Sequence, residues 1–278
     1  MPIVRNMQNT PKLTDRKSLE RNRARADLTA GMFLHEAAID EIQHRLSLVN
    51  RTFTKPAIVS GFPTVWGEAF PEALCVPDTD TLKLKEKSYD LVIHAIGLHW
   101  ADDPVGQVIQ CQRALINDGF FLAVAFGGQT LHELRASLAQ AEVEITGGLS
   151  PRIAPMAEIR DMGALLQRAG LALPVADAVP LKVTYETPWA LMKDLRMMGE
   201  NNALHARLKS LTRRAIMIRA SEIYVDSFME NGRIPATFEM IYLTGWSPDA
   251  SQQQPLRPGS ATSRLADALG APEIKLPK

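Results

Sequence analysis

The most informative segment for the fold is Tyr89-Asp90-Leu91-Val92-Ile93-His94-Ala95, an almost continuous apolar run that follows the charged run 83–87. A strand without alternating polar residues is buried on both faces, which a parallel sheet requires. Two runs of the same kind, Ala57–Ser60 and Phe120–Phe126, lie on either side of it along the chain. Since helical stretches separate such runs, the sequence predicts βαβ units and a mostly parallel sheet.

Outward from these strands, apolar residues at helical spacing predict the remaining elements. The predicted helices are Phe33–Leu48, Val105–Leu115, Thr130–Ile145, Ile159–Ala169, Pro188–Met198, Leu211–Met229 and Ala261–Leu269. Thr130 and Glu133 have the spacing of a capping box, so Thr130 is expected to cap its helix. Asn117-Asp118-Gly119 predicts a turn. Leu181–Tyr185 is predicted as β structure, and Thr237–Trp246 as an antiparallel edge strand.

Bulk composition restricts the class of protein. The chain has 31 Lys or Arg and 31 Asp or Glu among 278 residues, so its net charge gives no argument for binding nucleic acid. The two cysteines, Cys75 and Cys111, lack CxxC spacing, which indicates neither a disulfide framework nor a zinc site. The basic stretch 16–25 is interpreted as a solvated helix face rather than a binding patch.

Localisation follows from what the sequence lacks. Residues 1–13 contain no apolar core of a signal peptide. No apolar run approaches the ~18 residues that would span a bilayer. We therefore expect a cytoplasmic protein that does not span the membrane, with peripheral attachment to a membrane left open.

Two motifs resemble those of class I methyltransferases. Ser88–Val92, followed by Gly97-Leu98-His99-Trp100, is similar to the SFDLV-type fourth strand of that fold and its following loop. Arg113-Ala114-Leu115 and Asp118–Phe121 are similar to the "RxLxPGG" entry to the fifth strand.

Three further stretches narrow the resemblance. They are Phe126–Leu131 with Glu133–Arg135, Arg196–Gly199 with Asn202–Leu204, and Gln252–Gln253 with Pro255–Ser260. Together they resemble the bacterial relatives of the mitochondrial complex I assembly factor that is also called arginine-hydroxylase. That group is itself similar to the malonyl-carrier-protein methyltransferase of biotin synthesis.

The resemblance implies an α/β class I S-adenosylmethionine-dependent methyltransferase fold, which is Rossmann-like with a mostly parallel sheet. Here the fold would be degenerate and shortened, with a helical insertion before the last strand. The chain would divide into an N-terminal helical segment (1–50), a methyltransferase-like domain (51–246) with a helical cap (188–229), and a C-terminal tail (247–278). The implied cofactor is S-adenosylmethionine, and the implied partner is a protein, a respiratory complex I subunit carrying the modified arginine.

The cofactor loop departs from the family pattern. The glycine-rich DxGxGxG turn here reads SGFPTVWG over residues 60–67, so bulky side chains stand where the cofactor needs close approach of the backbone. Only 27 positions separate Gly61 from Ser88, which leaves room for one extended run, Ala73–Val76. Asp78 follows Gly61 at about the spacing of a ribose-binding acid, and it is either a ribose ligand or an exposed loop aspartate. S-adenosylmethionine is expected to bind weakly or not at all.

Candidate site residues follow the strands at the carboxyl edge of the predicted sheet, where ligands bind in such folds. The candidate cofactor contacts are Ser60, Gly61, Asp78, Ala95 and His99, and the candidate lining of a substrate or partner groove is Trp100, Gly127, Gly128 and Gln129. His99 and Trp100 are alternatively loop packing, and the two glycines are alternatively a simple turn. His94 is expected to be a satisfied buried histidine. No catalytic residue and no metal ligand is identified.

Three hypotheses for function remain open from the sequence. The first is a methyltransferase-superfamily enzyme or cofactor binder that acts on a protein side chain, arginine by resemblance, during respiratory-complex assembly. The second is a pseudoenzyme that has lost S-adenosylmethionine binding and serves as a binding module for a complex I subunit or another assembly protein. The third is a different small-molecule methyltransferase with a rebuilt cofactor loop.

Overall fold

The computed structural model describes residues 12–253 and Gly270. Residue contacts divide the chain into two units, Met1–Pro248 and Asp249–Lys278, and the architecture below is that of the first. The predicted helix Ala261–Leu269 and the tail motif Pro255–Ser260 lie outside the described residues.

A six-stranded sheet forms the centre of this unit. Its strands are β1 (Pro56–Ser60), β2 (Leu74–Val76), β3 (Tyr89–Ala95), β4 (Leu115–Phe126), β5 (Ala172–Tyr185) and β6 (Ile234–Trp246). They lie in the order β2-β1-β3-β4-β6-β5, with the first four parallel and β6 antiparallel to both of its neighbours. This is the strand order of the class I methyltransferase fold, shortened as predicted, since β2 alone occupies the span where the fold usually places two strands.

Helices cover both faces of the sheet. They are α1 (Arg16–Arg23), α2 (Phe33–Leu48), α3 (Pro63–Ala69), α4 (Pro104–Ala114), α5 (His132–Thr146), α6 (Ile159–Arg168), α7 (Pro188–Met197) and α8 (Arg214–Phe228). Because strand side chains alternate between faces, Ile93 and Leu122 pack in one core with α2, α5 and α8. Val92 and Phe121 pack in the other core with α4 and α6. No helix of the described residues is long and apolar enough to cross a membrane.

The prediction that Thr237–Trp246 is an edge strand is wrong. β6 is antiparallel, but it lies between β4 and β5, and most of its residues are buried. The edge strand at this end of the sheet is β5, which begins at Ala172, well before the predicted Leu181. β5 contains two prolines, Pro174 and Pro180, which argue against a strand when only the sequence is considered. An edge strand tolerates them because one row of its backbone groups has no neighbour.

Thr130 does not cap α5. The helix begins at His132 after Leu131 in the left-handed region (φ 53°). Thr130 Oγ1 instead accepts from the Glu239 backbone N–H at 3.0 Å. Glu133 accepts from Thr237 Oγ1 at 2.6 Å. Both residues of the predicted capping box therefore hold β6 rather than the helix end.

Two further boundaries differ from the predictions. The Asn117-Asp118-Gly119 turn lies inside β4 as a local bend, with Asp118 at φ 57° and a register shift opposite Tyr89. The helix predicted from Leu211 begins at Arg214. The residues before Arg214 are exposed and do not contribute to an apolar face.

Candidate functional site

The carboxyl ends of β1, β3 and β4 meet at one edge of the sheet, as the parallel pairing requires. Ser60 ends β1 and Ala95 ends β3, and both are fully buried. Ser60 Oγ accepts from the Phe62 backbone N–H at 3.1 Å, which fixes the first turn after β1. Asp78 follows β2 at this edge. The topology therefore brings these three candidate cofactor contacts to the same edge.

Asp78 is engaged by two arginines of α1. Its Oδ1 lies 2.7 Å from Arg16 Nη2 and 2.7 Å from Arg23 Nη1, while its Oδ2 accepts from Arg23 Nη2 at 3.0 Å. Arg16 also donates to the Asp78 carbonyl. The Asp78 side chain is only 2% exposed, so the reading of Asp78 as an exposed loop aspartate is wrong. The interpretation of the basic stretch 16–25 as a solvated face is wrong for these two arginines.

The charge state of Asp78 follows from its partners. Burial raises the pKa of this carboxyl, but the attraction and hydrogen bonds of Arg23, with the charge of Arg16, outweigh burial and hold the pKa below its usual range. Asp78 is therefore a carboxylate at neutral pH. Among the described residues the Nε atoms of Arg16 and Arg23 are buried without a partner.

The Arg23 guanidinium lies directly against Gly61. A Cβ added to Gly61 would collide with Arg23, so the glycine provides close approach for an arginine of the same chain. Side chains also occupy the space after Gly61. Phe62 is buried beside the His35 ring, and Trp66 is fully buried in α3. Pro63 occupies the first turn of α3, where it lacks a backbone donor.

S-adenosylmethionine does not fit this arrangement. The cofactor needs backbone N–H groups on a glycine turn and a free acidic side chain for its ribose. Here the surviving Gly61 is covered by Arg23, and both oxygens of Asp78 are taken. A ligand that used these residues would have to displace Arg23.

His94 and His99 lie next to this cluster. The prediction that His94 is a satisfied buried histidine is confirmed only in part. His94 is fully buried, and its Nε2 lies 2.7 Å from Gln107 Oε1, but its Nδ1 has no partner among the described residues. A Cβ at Gly97 would lie 2.8 Å from Asp78 Oδ2 and 3.1 Å from the His94 ring. Gly97 thus permits β3 to turn closely past Asp78.

Glu200, which the sequence reading missed, forms the second polar centre of the site. Its Oε2 accepts from Trp100 Nε1 at 2.8 Å and lies 3.2 Å from His99 Nε2. Burial raises the pKa of Glu200, but the neighbouring His99, Arg23 and Trp100 outweigh burial and lower it. His99 Nδ1 is buried without a partner among the described residues.

Glu200 and Trp100 line a cavity of about 450 Å³ beside the carboxyl edge. Its other walls are largely apolar and include Phe126 at the end of β4, Leu195 of α7 and Met217 of α8. Three arginines also line the cavity: Arg152 pairs with Glu142 and Arg207 pairs with Asp15, whereas Arg196 is exposed. Glu200 is the only acidic side chain in the described lining, and a buried carboxylate is stabilised by a cationic partner. Glu200 Oε1 has no hydrogen bond within residues 12–253.

Helical spacing in the cap 188–229 predicts two apolar faces, one with Trp189, Leu191, Met192, Leu195 and Met198 and the other with Ile216, Ile218, Ile223 and Phe228. The structure confirms these faces in part. Leu191, Ile216 and Ile223 are buried as expected. Trp189 is 47% exposed and Ile218 is 41% exposed, so these two do not contribute to the inner face.

The candidate groove residues separate into two groups. Trp100 lines the cavity. Gly127, Gly128 and Gln129 do not, and they form a tight turn against the last strand. The Gly127 N–H donates to the Glu239 carbonyl at 2.8 Å, and the Gln129 N–H donates to the Glu239 carboxylate at 2.9 Å.

Arg16, Arg23 and Glu200 could be predicted from the sequence only in part. Arg16 and Arg23 are seven positions apart, which is about two helical turns and places them on one face. Their partner Asp78 is 62 and 55 positions away, respectively, and no local pattern announces such a contact. Glu200 follows the motif Arg196–Gly199 directly, and that motif was its one available signal.

No cluster of three or more potential metal ligands occurs among the described residues. Cys75 and Cys111 are free thiols. Burial raises the pKa of both thiols.

Comparison with known proteins identifies similar sequences. The mitochondrial arginine-hydroxylase NDUFAF5 of Danio rerio is 38% identical over 198 residues, which cover 71% of this chain and 61% of that protein. The human protein of the same name is 39% identical over 193 residues, covering 69% and 56%. The malonyl-[acyl-carrier protein] O-methyltransferase of Laribacter hongkongensis is 34% identical over 187 residues, covering 67% and 61%. This chain thus matches about three fifths of the length of these relatives.

No protein-family model matches the chain. The solved structure of the YcgJ protein from Bacillus subtilis aligns with a TM-score of 0.48 at 12% identity, over 78% of this chain and 100% of that chain.

Proposed function

We propose that this chain, a methyltransferase-like homologue of the NDUFAF5 arginine-hydroxylases, binds an arginine side chain of a protein partner. The arginine would lie in the cavity beside Glu200. The partner is a respiratory complex I subunit or another protein of its assembly. We choose arginine as the ligand because the relatives are named arginine-hydroxylases. The complex I partner follows from the motif resemblance.

One observation carries this proposal: Glu200 is the only acidic side chain in the described lining of a cavity with mainly apolar walls, Trp100 holds its Oε2, and its Oε1 has no hydrogen bond within residues 12–253. An arginine side chain has a three-carbon stem that suits apolar walls and a guanidinium that suits a carboxylate. His99 and Trp100 both contact Oε2, which leaves Oε1 as the oxygen that would accept from the bound guanidinium.

A second candidate function is methyl transfer, which the strand order and the similarity to malonyl-[acyl-carrier protein] O-methyltransferases favour. It requires α1 to withdraw so that Gly61 and Asp78 can hold S-adenosylmethionine. The other alternative, a binding module that works without the cofactor, does not require this withdrawal. Our proposal of arginine binding is common to both.

The test is binding of two short fluorescent peptides that differ only in a central arginine or citrulline. Citrulline keeps the shape of arginine and lacks its charge. We expect the arginine peptide to bind more tightly, and Glu200→Gln to reduce its affinity by about tenfold to a hundredfold, since a hydrogen bond between charged groups is lost. Glu144→Gln, which removes a charge from the partly exposed Glu144–Arg219 pair, is the matched control and should bind normally. Equal affinity for the two peptides would rule out the proposed function.

A further inference from the structure

The segment 205–214, His-Ala-Arg-Leu-Lys-Ser-Leu-Thr-Arg-Arg, connects α7 to α8 and forms part of the mouth of the cavity. Arg207, Leu208 and Thr212 line the cavity. We call residues 205–214 the mouth segment. A partner that covers Arg207, Leu208 and Thr212 therefore covers part of the lining of the cavity that contains Glu200.

The mouth segment concentrates positive charge in a chain whose charges balance overall. No Asp or Glu occurs from 201 to 221, while Lys209, Arg213 and Arg214 follow Arg207 closely. Arg207 pairs with Asp15 at 2.9 Å. Within residues 12–253, Lys209, Arg213 and Arg214 are exposed and have no ion pair. Arg196, which also lines the cavity, is likewise exposed and unpaired in that range.

Apolar side chains stand exposed among these cations. Leu208 is 59% exposed, and Leu211 is 98% exposed. The segment is nevertheless anchored, because Arg152 donates to Thr212 Oγ1 at 3.0 Å and the His205 N–H donates to the Leu13 carbonyl at 2.8 Å. An anchored segment that presents unpaired charge and bare leucine is suited to a partner of complementary character.

We propose that the mouth segment docks an acidic, leucine-bearing segment of the protein partner. Carboxylates of that segment pair with Lys209, Arg213 and Arg214, and its apolar side chains cover Leu208 and Leu211. This inference rests on the proposed function, since the docked segment delivers its arginine to Glu200. An anionic bilayer would also attract the cations and leucines, but it has no side chain to fill the cavity, so the observations favour a protein.

The probe is a short fluorescent peptide in which glutamates and leucines flank a single arginine, with its binding measured by anisotropy at low and high salt. The triple variant Lys209→Glu/Arg213→Glu/Arg214→Glu should weaken binding at least about tenfold and should reverse the salt dependence, because the introduced glutamates repel those of the peptide and salt screens that repulsion. Leu208→Ser/Leu211→Ser should weaken binding while leaving the salt dependence intact. Lys55→Glu/Lys83→Glu/Lys85→Glu makes the same charge change at exposed positions outside the cavity lining and should bind like the original protein.

The outcomes separate this inference from the proposed function. If charge reversal leaves peptide affinity unchanged while arginine is still preferred to citrulline, the docking inference is wrong and the proposed function stands. If charge reversal weakens binding while the original protein binds the arginine and citrulline peptides with equal affinity, docking stands and the proposed function is wrong. If the protein sediments with phosphatidylglycerol vesicles through Lys209, Arg213 and Arg214 and does not bind the peptide, the segment faces lipid and the inference is overturned.

Discussion

Arg23 is the residue on which the state of the cofactor edge depends. Its side chain is 8% exposed, so its charge is balanced by buried carboxylates rather than by water. It forms a two-point pair with Asp78 and also lowers the pKa of Glu200. One guanidinium from α1 thus influences both the cofactor edge and the cavity.

Removing the charge of Asp78 should destabilise the protein strongly. Asp78→Asn leaves Arg23 and Arg16 without their carboxylate, and we expect a loss of about 3 kcal/mol in the free energy of unfolding. Urea unfolding at neutral pH measures this loss. Asp177→Asn, which breaks a pair with Arg45 that is 42% exposed on the aspartate side, should cost less than about 1 kcal/mol. Equal effects for the two variants would contradict the burial argument.

His35 should make the stability depend on pH. Burial lowers its pKa to about 4, and its Nδ1 accepts from Trp66 Nε1 at 3.0 Å. Because the folded pKa lies below the unfolded value of about 6.5, the stabilisation is complete above that value and decreases as pH falls toward 4. Between pH 7 and pH 5 we expect a loss of about 2 kcal/mol that is absent in His35→Gln. Parallel pH dependence in both proteins would assign the loss to other groups.

Among the strands, those buried on both faces were predicted correctly from the sequence, whereas the exposed edge strand β5 was predicted poorly. β3 could be predicted because both of its faces are apolar. β5 was not, because an edge strand shows neither a continuous apolar run nor a proline-free interior. The site followed the same division: Ser60, Asp78 and Ala95 could be placed from strand ends, whereas Arg16 and Arg23 act through a contact that forms only when α1 packs on the fold.

Helix α1 should compete with the cofactor. We expect the unaltered protein to bind S-adenosylmethionine no more tightly than about 1 mM, because a ligand must first displace Arg23 from Gly61 and Asp78. Arg16→Ala/Arg23→Ala should bind at least about tenfold more tightly if this obstruction is the main barrier. Calorimetric titration measures both affinities, and the melting temperature of the variant serves as the folding control.

The opposite result has a definite meaning. Micromolar binding by the unaltered protein, lost on Asp78→Ala, would mean that the pocket is rebuilt around Asp78. This result would favour methyl transfer over a binding module without cofactor.

At the scale of the whole molecule, α1 connects the two halves of the site. Its N-terminal residue Asp15 caps the helix through the Ser18 N–H and pairs with Arg207. The Asn22 side chain donates to the Asn201 carbonyl at 3.1 Å, and the Asp27 N–H donates to the Met197 carbonyl at 2.8 Å. A displacement of residues 197–207 by a bound partner would therefore loosen α1.

This connection predicts a pattern of hydrogen exchange. Asp15→Ala should raise exchange in α1 and also in residues 203–207, since both sides lose an anchor. Asp15→Ser keeps the cap but not the ion pair, so it should affect residues 203–207 while protecting α1 better. An increase confined to α1 in both variants would mean that the two halves respond independently.

The interior position of β6 has a consequence for synthesis of the chain. β4 ends at Phe126, yet its neighbour in the finished sheet is completed only at Trp246. While the ribosome makes the intervening residues, one edge of β4 stays bare, and bare strand edges are where nascent chains associate wrongly. The central sheet of this unit closes only after translation has passed Trp246, so the growing chain must be shielded by chaperones or by its own helices until then.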